Sequence, residues 1–366
     1  MLKVGIVGCG CIFTMHATSA YHLPNAQIVG VCDIKKERAD NAAKKYNCKA
    51  YYDYKEMINR DIIDIVHICV PHYLHPVISR YAIEAGVNVL CEKPMSIKYE
   101  DAVNNVNLAK EKGVKYGIIF QCRYNDSARL VKEKLDDGTL GKIISARSVL
   151  TWSKPDEYYS LSDWKGTWEK EGGGVIIDQA IHSIDLVNWF INDEIKSVEA
   201  HLSNRGHDIM EVDDSAEGFV KYKNGATYGF WAMNNYGCDE PIEIRLLCEN
   251  GKVVMDYDSA VITMNDGRIF TAKTTADPDI TYENGKDYWG FQHIREIADF
   301  YNAVENNREP TISGREALKI QKLICEIYKN GCSEFNNLKI SEYYGKWECK
   351  KSPDRKKAVI ISNTEY

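Results

Sequence analysis

Short apolar runs recur through the first third of the chain, separated by amphipathic stretches. Residues 3–8, 27–32, 64–70, 88–91 and 115–120 are such runs, rich in Val, Ile and Cys, the pattern of strands buried on both faces. Between them, residues 14–23, 36–46, 75–85, 99–112 and 127–136 place apolar side chains every three or four positions, as helices lying on a sheet do. This alternation predicts a doubly wound parallel sheet, with ligands at the carboxyl ends of its strands. From about residue 143 the period changes. Segments 217–222, 226–232, 242–248 and 252–257 read as strands joined by tight turns at Lys223-Asn224-Gly225 and Glu249-Asn250-Gly251. A second, largely antiparallel sheet follows from them, and residues 288–303 and 314–328 read as closing helices. The expected fold class is α/β with a second α+β domain. The expected boundaries are residues 1–122, 123–340 and a C-terminal extension, 341–366, and the closing helices are able to pack back on the first domain.

Within this pattern the stretch from Gly172 to Trp189 stands out. Three glycines, Gly172, Gly173 and Gly174, permit a sharp turn and close approach to a ligand. An uninterrupted helical pattern follows, with Asp178, His182 and Asp185 spaced i, i+4 and i+7 on one face. An imidazole between two carboxylates is a proton-transfer device, since His titrates near neutral pH. A buried helix whose polar groups make structural hydrogen bonds has the same pattern.

The first strand runs into Gly8-Cys9-Gly10-Cys11-Ile12-Phe13, then a helix, then a second strand ending on Asp33. That order is a dinucleotide-binding unit. Gly8 serves the turn, Gly10 lets the backbone approach a pyrophosphate together with Cys11 and Ile12, and the helix N-terminus faces the negative charge. Asp33 hydrogen-bonds the adenine ribose and repels a 2′-phosphate, so NAD is favoured over NADP, although Lys35, Lys36 and Arg38 stand nearby. The third glycine of the fingerprint is replaced by Phe13. Three more segments fall at strand ends: Pro71-His72-Tyr73-Leu74-His75, Glu92-Lys93-Pro94 and Gln121-Cys122-Arg123-Tyr124. The His72/His75 pair lacks a third ligand in sequence, so no metal is expected, and His75 is read as opening a helix.

Taken in order, these motifs resemble the family of glucose–fructose oxidoreductase and inositol dehydrogenase, the Gfo/Idh/MocA oxidoreductases. The resemblance runs from Lys3 to about Leu323 and rests on five features. These are the glycine turn, the strand-end Pro-His-Tyr-x-x-His, Glu-Lys-Pro, the Arg-Tyr after the last parallel strand, and Gly-Gly-Gly-x-x-x-Asp-x-x-x-His-x-x-Asp. It implies a Rossmann first domain, NAD as cofactor, and Lys93, Asp178 and His182 as the catalytic group. Pro71, His72, His75, Glu92, Lys93 and Gln121 fall on its cofactor side; Arg123, Tyr124, Trp152, Lys165, Trp168, Asp178 and His182 fall on its substrate side. Asp185 is expected behind these. The second sheet in this family forms a wall of the substrate site and often a subunit interface, so a homo-oligomer is expected.

The chemistry is consistent with the residues. Oxidising a secondary alcohol needs a hydride acceptor and a base for the hydroxyl proton. His182 or Lys93 can serve as that base. Trp152, Tyr158, Tyr159, Trp164 and Trp168, with Asp163 and Lys165, form an aromatic stretch suited to stacking on the C–H face of a sugar ring, although such residues also pack in cores. The expected substrate is a sugar or glycoside, with the 3-hydroxyl of a glucoside preferred. Inositol, a nucleotide sugar, an internal redox cycle with retained NAD, and a non-sugar carbonyl reduced as by dihydrodiol dehydrogenase or biliverdin reductase stand as alternatives. A non-enzymatic nucleotide sensor is disfavoured by the joint presence of Lys93, Asp178 and His182.

Composition narrows the rest. At 366 residues the chain can bury two cores, and its net charge of -7 argues against nucleic acid or anionic membrane as partner. The longest apolar runs, such as residues 62–70, fall far short of the roughly 20 residues a membrane span needs. The start reads directly into a strand without a signal peptide. Of twelve cysteines, Cys32, Cys69, Cys91 and Cys248 lie in predicted strands, and no Cys-x-x-Cys occurs. Reduced cysteines in a cytoplasmic protein are therefore expected.

Overall fold

The structure is a computed structural model, and it describes residues 1–256, 258–283 and 290–333. The expected extension at 341–366 and the start of the helix expected at 288–303 lie outside the described residues. Six parallel strands, β1 (Leu2–Val7), β2 (Ala26–Cys32), β3 (Lys49–Tyr51), β4 (Ile65–Ile68), β5 (Asn88–Cys91) and β6 (Tyr116–Ile118), form one sheet in the order β3-β2-β1-β4-β5-β6. Val4 and Ile6 of β1, and every residue of β4 and β5, are buried, as continuous apolar runs require when helices cover both faces. The covering helices are α1 (Phe13–His22), α2 (Lys36–Tyr46), α3 (Tyr54–Met57), α4 (His75–Glu84) and α5 (Tyr99–Lys112), whereas α6 (Asp126–Asp136) packs on the second sheet, against its strands Ser259–Met264 and Ile269–Lys273. β3 and α3 are too short to carry a period of their own, and the sequence pattern does not reveal them.

The chain order reverses between β1 and β4, and the cleft opens at that reversal. Gly8 makes the turn after β1 with φ +94°; a Cβ there would sit 2.2 Å from the Cys69 carbonyl oxygen. Phe13, where a third glycine would fall, turns its ring edge-on to Tyr46 of α2 at 5.9 Å, so the helix needs no glycine at that point.

The second sheet has nine strands: β7 (Ile143–Thr151), β8 (Ile195–Ser203), β9 (Ser215–Tyr222), β10 (Thr227–Met233), β11 (Glu243–Cys248), β12 (Gly251–Asp256), β13 (Ser259–Met264), β14 (Ile269–Lys273) and β15 (Gly331–Ser333). Most neighbours pair antiparallel, but β7 with β10 and β8 with β15 pair parallel. Its inner face packs on a helical segment that starts as one turn of π-helix, Ile176–Ala180, and continues as an α-helix, Ile181–Ile191. The uninterrupted α-helix expected after the glycines is thus corrected. A π turn advances about one residue further per hydrogen bond, so Asp178 is rotated away from the α-helical register of His182 and Asp185. A short helix, Asp156–Ser160, lies in the aromatic stretch.

The closing helices run over His293–Glu305 and Gly314–Asn330. The first packs on α1 and the second on α5 and β6, so both return to the parallel sheet. Ile118 of β6 donates to the Ile312 carbonyl at the join. Among the described residues no helix is long and apolar enough to cross a membrane.

Candidate active site

One cleft of about 490 Å³ runs from the glycine turn to the Gly172–Asp178 region. Four strand ends of the parallel sheet supply one wall: Gly10, Cys11 and Ile12 after β1, Cys69, Val70, Pro71, His72 and His75 after β4, Glu92 and Lys93 after β5, and Gln121 after β6. The other wall holds Trp152, Lys154, Tyr158, Trp164, Lys165, Asp178, Gln179 and His182. His293, which the sequence pattern gave no reason to single out, closes the floor.

Asp178 is the centre of the arrangement. Its Oδ1 accepts from the Lys93 ammonium at 3.0 Å, and the same ammonium donates to the Asp178 carbonyl at 2.7 Å. Its Oδ2 accepts from the Tyr158 hydroxyl at 3.0 Å, the Lys165 ammonium at 3.1 Å and the Gln179 amide at 2.7 Å. Gln179 is oriented in turn by buried Asn234, whose amide donates to the Gln179 carbonyl oxygen at 3.0 Å and to the Tyr159 hydroxyl at 2.7 Å. Burial alone would push the Asp178 carboxyl up; the Lys165 and Lys93 ammoniums outweigh it and hold the group well below the usual range. Lys165 is burdened by the same burial yet held above its ordinary value by Asp178 and Glu171. It also hydrogen-bonds the Tyr158 hydroxyl and lies 4.2 Å from the Tyr158 ring centre and 4.8 Å from that of Trp164.

Glu171 lies behind Lys165 and is the second residue that sequence reasoning passed over. It accepts from the Gly166 amide, and its carboxyl is pushed up to about 8, first by burial and then by the neighbouring Asp178 charge. The Asp213 carboxylate accepts from the Gly174 and Ile176 amides and the Tyr328 hydroxyl, fixing the glycine turn. Gly174 admits no side chain, since a Cβ would fall 1.9 Å from the Asp213 carbonyl oxygen.

The glycine-turn wall is equally tied. Asp33, at the end of β2, accepts from the Cys9 amide and the Lys35 amide, both at 2.8 Å. No side chain caps α1, and nothing lies within 4 Å of a Cβ built on Gly10. His72 donates through Nδ1 to the Glu171 carbonyl at 2.9 Å and stacks, tilted, on Trp164. His75 does open α4, and its ring nitrogens lie 2.7 Å from the Pro94 carbonyl and 2.8 Å from that of Val70.

Three residues expected at the substrate lie elsewhere. Arg123 is buried in a two-point pair with Asp185, at 2.8 and 2.6 Å, and reaches Glu316 at 3.1 Å; it lines no part of the cleft. The Tyr124 hydroxyl donates to Asp299 at 2.9 Å. Trp168 is 2 % exposed and packs edge-on against Tyr328. Each satisfies its polar or apolar surface inside the protein, and a strand-end or aromatic-cluster position does not reveal that. Asp185 shares the helix with His182 but faces Arg123.

A glycine turn at the crossover of a parallel sheet, opposite a wall of ionised and aromatic side chains, defines an NAD-binding oxidoreductase. Residues 2–120 match the oxidoreductase family with an NAD-binding Rossmann fold, Gfo/Idh/MocA, and residues 128–254 match the C-terminal domain of the same family. The chain belongs to the Gfo/Idh/MocA oxidoreductases. It is similar to the D-glucoside 3-dehydrogenase of Escherichia coli, 24 % identical over 350 residues that cover 90 % of this chain and 95 % of that protein. It is also similar to the myo-inositol 2-dehydrogenase of Thermotoga maritima, 23 % identical over 94 % of this chain and 100 % of that protein. Among solved structures, the WlbA dehydrogenase of Bordetella pertussis in complex with NADH and UDP-GlcNAcA superimposes with a TM-score of 0.77 at 27 % identity, covering 90 % of this chain and 96 % of that one. The chain is an enzyme of the oxidoreductase class, and its cofactor is NAD.

Proposed function

We propose that the protein oxidises a secondary ring hydroxyl of a sugar or glycoside to a ketone, with the 3-hydroxyl of a glucoside as the preferred position. The observation that carries this reading is the single Asp178 carboxylate shared between Lys93 of one wall and Lys165 and Tyr158 of the other.

Gly8, Gly10, Cys11 and Ile12 would hold the pyrophosphate, whose charge the uncapped start of α1 would favour. The open space at Gly10 fits a closely approaching backbone ligand. Asp33 would meet the adenine ribose, and Pro71, His72, His75, Glu92 and Gln121 would flank the nicotinamide half. Bound NAD supplies the hydride acceptor. The Lys93 ammonium, anchored by the Asp178 carboxylate and carbonyl, donates a hydrogen bond to the reacting oxygen and favours its alkoxide. His182 takes the hydroxyl proton. Tyr158 and Lys165 hold neighbouring hydroxyls, and Trp152 and Trp164 offer ring faces to the sugar C–H surface.

A nucleotide-linked sugar is the second reading. Lys154 brings a further ammonium to the cleft, 4.9 Å from the Trp152 ring centre, where an anionic substituent would be favoured. The likeness to a dehydrogenase solved with UDP-GlcNAcA points the same way. We further propose a homo-oligomer built through the outer face of the nine-stranded sheet, where Phe219, Trp231, Leu247 and Val261 are exposed.

The test is NADH formation from NAD with glucosides, myo-inositol and UDP-sugars. Turnover on glucosides alone supports the first reading, and turnover on UDP-sugars alone moves the substrate to the second. Silence on every ring, with reduction of a non-sugar carbonyl by NADH, overturns both.

A further inference from the structure

Beneath the cleft lies a buried row of polar side chains that leads up to Glu92. The Tyr301 hydroxyl lies 3.0 Å from His67 Nε2, His67 Nδ1 lies 3.0 Å from His16 Nδ1, and His16 Nε2 lies 2.9 Å from Glu92 Oε1. His293 Nε2 is 3.5 Å from the same Glu92 oxygen, and Glu92 Oε2 accepts from the Lys93 amide at 3.2 Å. Tyr301, His67 and His16 are fully buried, while Glu92 and His293 line the cleft.

Hydrogen positions follow from counting donors. Burial, then the neighbouring His16, keeps the His67 ring well below the usual imidazole range, so it is neutral and has one N–H. If that hydrogen is on Nδ1, Tyr301 donates to His67, His67 donates to His16, and His16 donates to Glu92. Every hydrogen then has an acceptor, and the row ends on an ionised carboxylate. If the hydrogen is on Nε2, the Tyr301 hydroxyl has no acceptor among the described residues, and His16 can donate to Glu92 only as an imidazolium. The first arrangement is the satisfied one.

His16, Glu92 and His293 also bring their ligand atoms within 4.8 Å of one another, as a divalent cation would require. A cation would need the bare Nε2 of His16, which forces the second arrangement and strands Tyr301. The row is built for a proton on His16, not a metal.

We propose that Glu92 is the residue by which the cleft distinguishes the redox states of the nicotinamide, favouring the cationic ring of NAD over the neutral ring of NADH. His16, His67 and Tyr301 are positioning residues that keep the carboxylate charged and facing the cleft. The proposal rests on the reading that the nicotinamide lies along the strand ends at Glu92 and Lys93. A fixed carboxylate of this kind attracts a cation and is indifferent to a neutral ring. Its effect is to hold the oxidised cofactor and to ease departure of the reduced one.

The test is calorimetric titration of NAD and of NADH into wild type, Glu92→Gln and Tyr301→Phe, in chelator-treated buffer and again with zinc added. Glu92→Gln is expected to shift the ratio of the two dissociation constants by about tenfold in favour of NADH. Tyr301→Phe, which removes one hydroxyl and carries the test alone should Glu92→Gln not fold, shifts it about two- to threefold in the same direction. Equal weakening of both cofactors, or an unmoved ratio, would overturn the proposal. So would cofactor binding by wild type that is lost with chelator and restored by zinc, which would make the cluster a metal site. Failure of wild type to bind either nucleotide would sink the cofactor reading and this proposal with it.

Discussion

Lys93 and Asp178 are joined twice, through the Asp178 carbonyl at 2.7 Å and its carboxylate at 3.0 Å, although one leaves the parallel sheet and the other lies under the nine-stranded sheet. The ammonium is therefore held at a fixed point between the walls. Lys93→Ala and His182→Ala are each expected to lower turnover by about 10²–10⁴-fold while the fold survives. Steady-state kinetics with circular dichroism would check this, and near-normal turnover in both would remove them from the reaction.

Asp178→Asn has a different expected signature. It leaves the Lys93 and Lys165 ammoniums in a largely buried site without their carboxylate. Stability should fall by about 3–5 kcal/mol, the usual cost of stranding one side of a buried ion pair. Denaturant titration measures it, and a loss below about 1 kcal/mol, the range of exposed pairs, would mean that water screens the cluster.

Glu171 gives the protein a pH dependence of known sign. Its carboxyl titrates near 4.5 when free and is pushed up to about 8 in the fold, so over that interval the folded state binds a proton that the unfolded state has lost. Stability from this group is complete below the lower value and declines as pH rises to the upper one. Asp178 and Glu92, held low, act in the opposite sense but only in more acidic solution. Melting temperatures should therefore fall less between about pH 5 and pH 8 in Glu171→Gln than in wild type. Parallel curves would show that the carboxyl is ionised throughout.

Asp33 supports the glycine turn through the Cys9 amide, and its carboxylate stands at the end of β2. Asp33→Ala is expected to weaken NAD binding and to raise the relative use of NADP. The ratio of kcat/KM for the two cofactors reports it, and an unchanged ratio would displace Asp33 from the ribose.

Arg123 belongs to the framework. Arg123→Met leaves Asp185 buried without its partner and should cost about 3–5 kcal/mol of stability. KM for the sugar should stay within about twofold of wild type in the folded fraction, because a residue outside the cleft adds nothing to uniform binding. A large rise in KM would return Arg123 to the substrate.

The parallel sheet was legible because burial on both faces writes itself into the chain as continuous apolar runs. α2 and α5 fall where their periodicity predicts, at Lys36–Tyr46 and Tyr99–Lys112. β8, β13 and β14 alternate polar and apolar positions too irregularly to announce themselves, and β8 also pairs with β15, more than 100 residues further on. In the site, Lys93, Asp178, His182, Trp152 and Lys165 were nameable from local motifs and do line the cleft. Arg123, Tyr124 and Trp168 illustrate the limit: a motif places the backbone, and long-range partners decide where the side chain turns. His293 comes from more than 100 residues beyond the Gly172–Trp189 stretch, with no spacing to link it to Glu92.

The segment after β4 and the segment before the glycines hold each other directly, through His72 to the Glu171 carbonyl and through the Tyr73 amide to the Lys170 carbonyl. Whatever orders the nucleotide side therefore also orders the sugar side. Binding on one side is therefore expected to lower the entropic cost of binding on the other without any hinge having to swing, and the affinity of one ligand measured with and without the other reports it.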